Sequence, residues 1–278
     1  MSKKYMVRCD IEGVSGVVSF EQAEPGKREF AFGQRMFMAD LLALLDGLKA
    51  GGADEVVIYD EHYYGRNIDL DALPPFASAI CGKPPYRADW AGGLDASFAG
   101  VILLGFHSKF GTPGGLLHHT YELDIRDLRV NRVSVGEIGM EAAIAGDYDV
   151  PLVMVTADSA GTAEAEALLP GTVGVVVKES LGEEGGHCYP LSVSTERIRA
   201  AAQTVVQTPP PVKPYATGGP VEMEVELNDG LYLETVRREL SSEMKDLRTL
   251  AISAKTATAA FAAYWAKKLH CQAKMVKD

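Results

Sequence analysis

Asp10 and Glu12 stand one residue apart at the end of an apolar run, ahead of a turn that holds Gly13, Ser15 and Gly16. In a strand both acids point to one face, because side chains alternate with a period of two. Two carboxylates so placed repel each other unless a cation or a shared proton relieves them. The plain alternative is a solvated strand end, since most Asp and Glu side chains are exposed. Further candidates weigh against that alternative. Asp60 and His62 follow the apolar run 56–59, and His107 follows the run 101–106. Imidazole nitrogen with carboxylate oxygen, and no paired thiolates, suits zinc or a similar borderline metal. A carboxylate bridging two ions would explain why two acids sit so close. Such ion pairs, roughly 3.5–4 Å apart, activate a water and clamp both oxygens of a displacement.

His118 and His119 lie just past a glycine-rich loop, residues 111–115, that lacks the spacing and lysine of a P-loop. Adjacent residues point in different directions, so one of the two histidines is expected to act, as general acid or base. Glu137 reads first as a helix-start acid favoured by the dipole. His187, in a polar glycine loop, and His270, on the terminal helix, read as structural.

The elements that must position these groups alternate. Residues 36–50 give a helix with a leucine face, stopped by Gly51 and Gly52. Strands are expected at 56–59, 101–106, 151–156 and 173–177, and a strand with a turn at Asn131 and Arg132 over 130–135. Helices are expected at 137–145, 162–169, 196–206 and 256–269. Continuous apolar strands between helices imply an α/β fold, a mostly parallel central sheet flanked by helices. In such sheets ligands gather at the carboxyl edge, where three of the strands end in a candidate. The prolines at 209–211 mark a boundary. They divide a metal-binding catalytic domain, 1–207, from a smaller C-terminal α+β module, 208–278, packed on it. In that module residues 221–227 alternate as a half-exposed strand.

The 278 residues suffice for one large domain, or for one with a smaller companion. A net charge of −11 with no basic stripe argues against nucleic-acid and anionic-membrane partners. No apolar run approaches the roughly 18 residues of a membrane span. Four scattered cysteines read as free thiols in a reducing compartment. Lys3 and Lys4 lead into no apolar signal region, so a cytoplasmic location is expected.

Taken together, these residues resemble the D-aminopeptidase family of the bacillar dipeptide-transport operon, peptidase family M55. Its Ser-x-Asp-x-Glu-Gly opening is matched by residues 8–13, Arg-Cys-Asp-Ile-Glu-Gly, and its Asp-x-His by Asp60-Glu61-His62. Leu104-Gly105-Phe106-His107 resembles its Leu-Gly-Tyr-His, and the segment with its catalytic histidine aligns on His119. Val135-Gly136-Glu137-Ile138-Gly139 matches its Val-Gly-Glu-x-Gly, and 145–151 its Ala-Gly-x-Tyr-Asp-Val-Pro. The likeness runs through most of residues 5–180.

The resemblance implies a two-zinc peptidase, with Asp10 bridging, Glu12 and His62 on one ion, and His107 and Glu137 on the other. It replaces the helix-start reading of Glu137. His119 becomes the catalytic residue, as general base or nucleophile. Short peptides with an N-terminal D-residue, such as D-Ala-D-Ala, become the expected substrates, and a homo-oligomer, a decamer in the family, the expected assembly. Arg8 departs from the family's serine. Alternation puts it on the face of Asp10, to pair with a carboxylate or to contact a substrate carboxylate. The loop Tyr63-Tyr64-Gly65-Arg66 is bulkier than the family's polar one. Two rivals remain: a metal-dependent amidase acting on non-peptide or L-peptide amides, and a non-catalytic binding protein on the same fold.

Overall fold

The computed structural model describes residues 3–275. Eleven strands and seven α-helices follow one another as β1 (Lys4–Cys9), α1 (Phe20–Ala23), α2 (Phe30–Gly51), β2 (Glu55–Asp60), β3 (Ala77–Ile80), β4 (Phe98–Phe106), β5 (Ile125–Val130), β6 (Val133–Val135), α3 (Glu137–Asp147), β7 (Leu152–Asp158), α4 (Ser159–Leu168), β8 (Val173–Ser180), β9 (Gly186–Cys188), α5 (Leu191–Gln207), β10 (Val221–Leu227), α6 (Leu231–Glu239), β11 (Thr249–Ala254) and α7 (Ala257–Met275). None of the described helices is long and apolar enough to cross a membrane.

Seven strands form the central sheet in the order β3-β2-β1-β4-β7-β8-β9, parallel except for the edge strand β9. From β1 the chain builds outward to β2 and β3, then crosses to β4 on the other side. The order therefore reverses between β1 and β4, and a crevice opens beyond their carboxyl ends. Both faces of this sheet are covered. Tyr5, Val7 and Cys9 of β1, with Ile102 and Leu104 of β4, pack against the leucine face of α2 and against Ile198 and Ala202 of α5. Met6, Val101 and Leu103, on the opposite face, pack against α3 and α7. Burial on both sides is why these strands read as continuous apolar runs.

Helix α2 begins at Phe30, earlier than the leucine periodicity suggests, and ends where Gly52 takes a left-handed φ of +94°. The turn at Asn131 and Arg132 joins β5 to β6 with both residues at positive φ. A second sheet runs β11-β10-β5-β6, antiparallel throughout. Its strands come from both sides of residue 208, so the C-terminal segment is interleaved with the earlier chain and does not close a sheet of its own. The reason lies in β10, where Val221, Met223, Val225 and Leu227 are all buried. Those side chains fill the core on one face, and β5, on the edge away from β11, brings Leu128 and Val130 to the same face.

Candidate metal centre

Past β1, residues 10–13 are laced onto the end of β4. The Asp10 N–H donates to the Leu104 carbonyl at 2.9 Å, and the Gly13 N–H to the Gly105 carbonyl at 2.7 Å. A Cβ on Gly13 would overlap the Phe106 carbonyl, while Gly105 sits at φ +74° against the Asp10 carbonyl. Glycine alone tolerates both demands. This close approach sets Asp10 and Glu12 beside His107, the first residue after β4.

Three further supports hold the loops that carry the candidate ligands. Buried Lys178, from β8, donates to the carbonyls of Glu12, Val14 and Val17 at 2.6, 2.8 and 2.5 Å. Sequence reasoning misses this residue; its signal is a lysine at the end of an apolar strand. Asp60 is a support and not a ligand: it accepts from the backbone N–H of His62 and from the N–H and side-chain amide of Asn67 at 3.3, 2.7 and 2.8 Å. Leu117, at φ +51°, turns the chain so that His119 enters the centre. His118 points away, accepting from the Gly111 N–H at 3.1 Å.

The six site residues converge and all are buried. Ligand-type atoms of Asp10, Glu12 and His62 lie within 4.8 Å of one another, and so do those of His107, His119 and Glu137. Asp10 joins the two groups, with its Oδ2 3.4 Å from His107 Nε2. Glu137, the first residue of α3, places Oε1 3.1 Å from His107 Nε2 and 3.8 Å from His119 Nε2. The rings of His107 and His119 stack at 4.0 Å and 8°.

Tautomers follow from the partners. His107 Nδ1 faces the Ser108 carbonyl at 3.0 Å, and His119 Nδ1 the Leu117 carbonyl at 2.8 Å. A carbonyl only accepts, so each Nδ1 carries a proton and each Nε2 is turned inward. At His107 that nitrogen confronts carboxylate oxygens of Asp10 and Glu137, an arrangement that needs a proton or a metal cation between them.

The electrostatics say the same. Burial, and then the charge of Glu12, push the Asp10 carboxyl up to about 7. Burial opposes charge on Glu12 and Glu137 too, but His62 holds the first well below the usual carboxylate range and His107 lowers the second. For His107 burial is outweighed by Glu137 and Asp10, which raise it strongly, and His62 is raised in the same way by Glu12. His119 moves the other way, lowered by burial and by the neighbouring charge of His107.

Among the described residues, the buried atoms Glu12 Oε2, His62 Nδ1 and Nε2, and His107 Nε2 have no hydrogen-bond partner. Orphaned imidazole nitrogens and a carboxylate oxygen around one crevice fit a divalent cation of the zinc type.

Arg8 needs correction as a substrate contact. Its side chain has no exposed surface, and it forms a direct ion pair with Glu141. Nη2 donates to the Ala91 carbonyl at 3.2 Å, and Nε lies 4.0 Å from Glu61. The carboxylate-pairing role is the one realised.

An open parallel sheet whose switch-point crevice holds an imidazole and carboxylate centre defines a metallohydrolase-like protein. Over residues 4–266 the chain matches the D-aminopeptidase family, peptidase family M55, and it belongs to that family of peptide-bond hydrolases. A D-aminopeptidase of Bacillus subtilis (strain 168) is 30% identical over 213 residues, 76% of each chain. Among solved structures, the Zn-dependent D-aminopeptidase DppA from Bacillus subtilis, a self-compartmentalizing protease, superposes with a TM-score of 0.89 at 26% identity. That match covers 99% of this chain and 98% of DppA.

Proposed function

We propose that this chain is a zinc aminopeptidase acting on short peptides with an N-terminal D-residue, D-Ala-D-Ala being the simplest. Asp10, Glu12 and His62 would hold one ion, and His107 and Glu137, with Asp10 between the two groups, would hold the other. The observation that carries this reading is the inward-facing Nε2 of His107, 3.4 Å from Asp10 and 3.1 Å from Glu137. When bound, zinc supplies a Lewis acid for the scissile carbonyl and a water made acidic enough to attack near neutral pH.

His119 does the proton work. Its lowered pKa keeps the imidazole neutral, and its Nε2 lone pair faces the centre. That nitrogen takes the proton of the attacking water and delivers it to the leaving amine. The Leu117 carbonyl orients the ring by accepting from Nδ1 at 2.8 Å. A homo-oligomer, with the decamer as its expected form, accords with the self-compartmentalizing assembly described for DppA.

The test is hydrolysis of D-Ala-D-Ala and of L-Ala-L-Ala by zinc-loaded protein, with His119→Ala alongside. Turnover of the D-dipeptide is expected, with kcat falling about 10²–10⁴-fold in the variant while zinc is retained. Turnover of the L-dipeptide alone would overturn the specificity. Variant activity within a few-fold of the parent would overturn the role of His119.

A further inference from the structure

We propose that Arg8, Glu141 and Tyr121 are positioning residues that set the spacing of Asp10 and Glu137, through a buried relay running from β1 to the backbone N–H that holds the Glu137 carboxylate. The inference rests on reading Asp10 and Glu137 as metal ligands.

The relay can be followed atom by atom. Arg8 sits two residues before Asp10 on β1, and Glu141 sits one turn after Glu137 on α3, so each pair shares a face. The direct Arg8–Glu141 ion pair therefore ties together the strand and the helix that deliver the two carboxylates meeting at His107. Glu141 Oε1 accepts from the Tyr121 hydroxyl at 2.8 Å. Tyr121 in turn donates its backbone N–H to Glu137 Oε1 at 2.6 Å. Tyr121 is held at φ +58°, a left-handed conformation that a bulky residue seldom adopts. Its anchors are the Glu141 contact and the ring of Phe261, 4.9 Å away. Without the hydroxyl anchor, the strained backbone is free to relax, and the N–H leaves the ligand oxygen.

A stability role does not account for the relay. Replacing a buried ion pair with apolar side chains is often neutral or stabilising. The neighbours of Arg8 on β1, from Tyr5 to Cys9, are all buried and apolar. A further apolar residue would complete the strand without desolvating a charge. The guanidinium is also held by several groups at once. Besides Glu141 it meets the Ala91 carbonyl and Glu61, and it lies 5.2 Å from the ring of Tyr86, whose hydroxyl donates to Glu61. The Glu141 pair and the Ala91 hydrogen bond fix the two ends of the fork, while Nε makes no hydrogen bond; a fork held at both ends is what a spacer between two ligands requires.

Zinc affinities measured by chelator competition test this, with the Tm of metal-free protein read beside them. Tyr121→Phe keeps the backbone N–H and the ring and removes only the hydroxyl. It is expected to weaken one of two zinc ions about 10–100-fold and leave the other unchanged. It should lower kcat more than it raises KM, with the metal-free Tm close to that of the parent. Arg8→Met alone would strand the buried Glu141 carboxylate and lower the metal-free Tm, so it is paired with Glu141→Leu. That double variant should weaken the same ion at a metal-free Tm near the parent's, and Arg8→Lys should recover part of the loss by restoring the charge without the fork. Parental affinity for both ions in Tyr121→Phe would overturn the relay. So would an equal loss at both ions with a lowered metal-free Tm, the mark of a structural role. Glu137→Gln separates the two readings: if it binds zinc as the parent does, Glu137 is not a ligand and the relay falls with it.

Discussion

His107 shows how one side chain can declare a missing charge. Its Nδ1 is committed to the Ser108 carbonyl, and its Nε2 is left facing two acids. Protons fill that place in the metal-free protein: His62 and His107 are raised by the carboxylates around them, and Asp10 titrates near 7. Zinc must displace these protons, so its binding releases them. Because the shifts are upward, the competition strengthens as pH falls. Apparent affinity should drop roughly tenfold or more per unit below neutrality. Calorimetric titration in buffers of different ionisation enthalpy measures the release, and a binding heat independent of buffer would contradict it. Most of these residues are legible from types and spacing, because an acid pair and lone histidines at strand ends are unusual. Glu137 is not, since a glutamate opening a helix has an everyday explanation. Nor is the pairing of Arg8 with Glu141, residues 133 positions apart that only the fold brings together.

At the scale of elements, the loop after β1 is clamped between α2 and α5 by a polar cluster inside an apolar layer. The Asp40 carboxylate of α2 accepts from the Ser15 N–H and hydroxyl, each at 2.8 Å, and Ser15 meets Ser194 of α5 at 2.8 Å. Burial pushes the Asp40 carboxyl up to about 6, against the lowering effect of Ser15. A folded pKa above the unfolded value of 3.8 means that the folded state holds the proton more tightly. The associated stability is present below about pH 4 and is lost as pH rises through about 6, a change on the order of 3 kcal/mol. Denaturant unfolding of Asp40→Asn at pH 4 and pH 7 should lack this slope relative to the parent. Identical slopes in the two proteins would rule the effect out. The long elements are visible in the sequence because both faces of the central sheet are covered, which leaves unbroken apolar runs. The short β3, β9 and β11 and the helices α1 and α6 are not. Their residues are mixed in polarity, and their place is decided by what they pair with.

On the scale of the whole molecule, the centre is a junction. Its candidate ligands arrive from the ends of β1, β2 and β4, from the start of α3, and from the loop carrying His119. A cation gripped by all of them binds the folded chain and not the unfolded one. Free zinc at a hundred times Kd should then add close to 3 kcal/mol per ion. Stripping the metal should lower Tm by roughly 5–10 °C, recoverable on adding zinc back. A Tm unmoved by chelator, with metal loss confirmed by elemental analysis, would refute this coupling.

The interleaved second sheet carries a consequence for how the protein comes into being. Strand β5 and the hairpin leading to Glu137 are translated well before β10, yet β10 is the strand against which β5 pairs. A chain still on the ribosome has its acids and histidines in hand but lacks the partner that seats the helix start among them. The pairing that fixes β5, just ahead of Glu137, thus waits on a strand translated after every one of the candidate ligands.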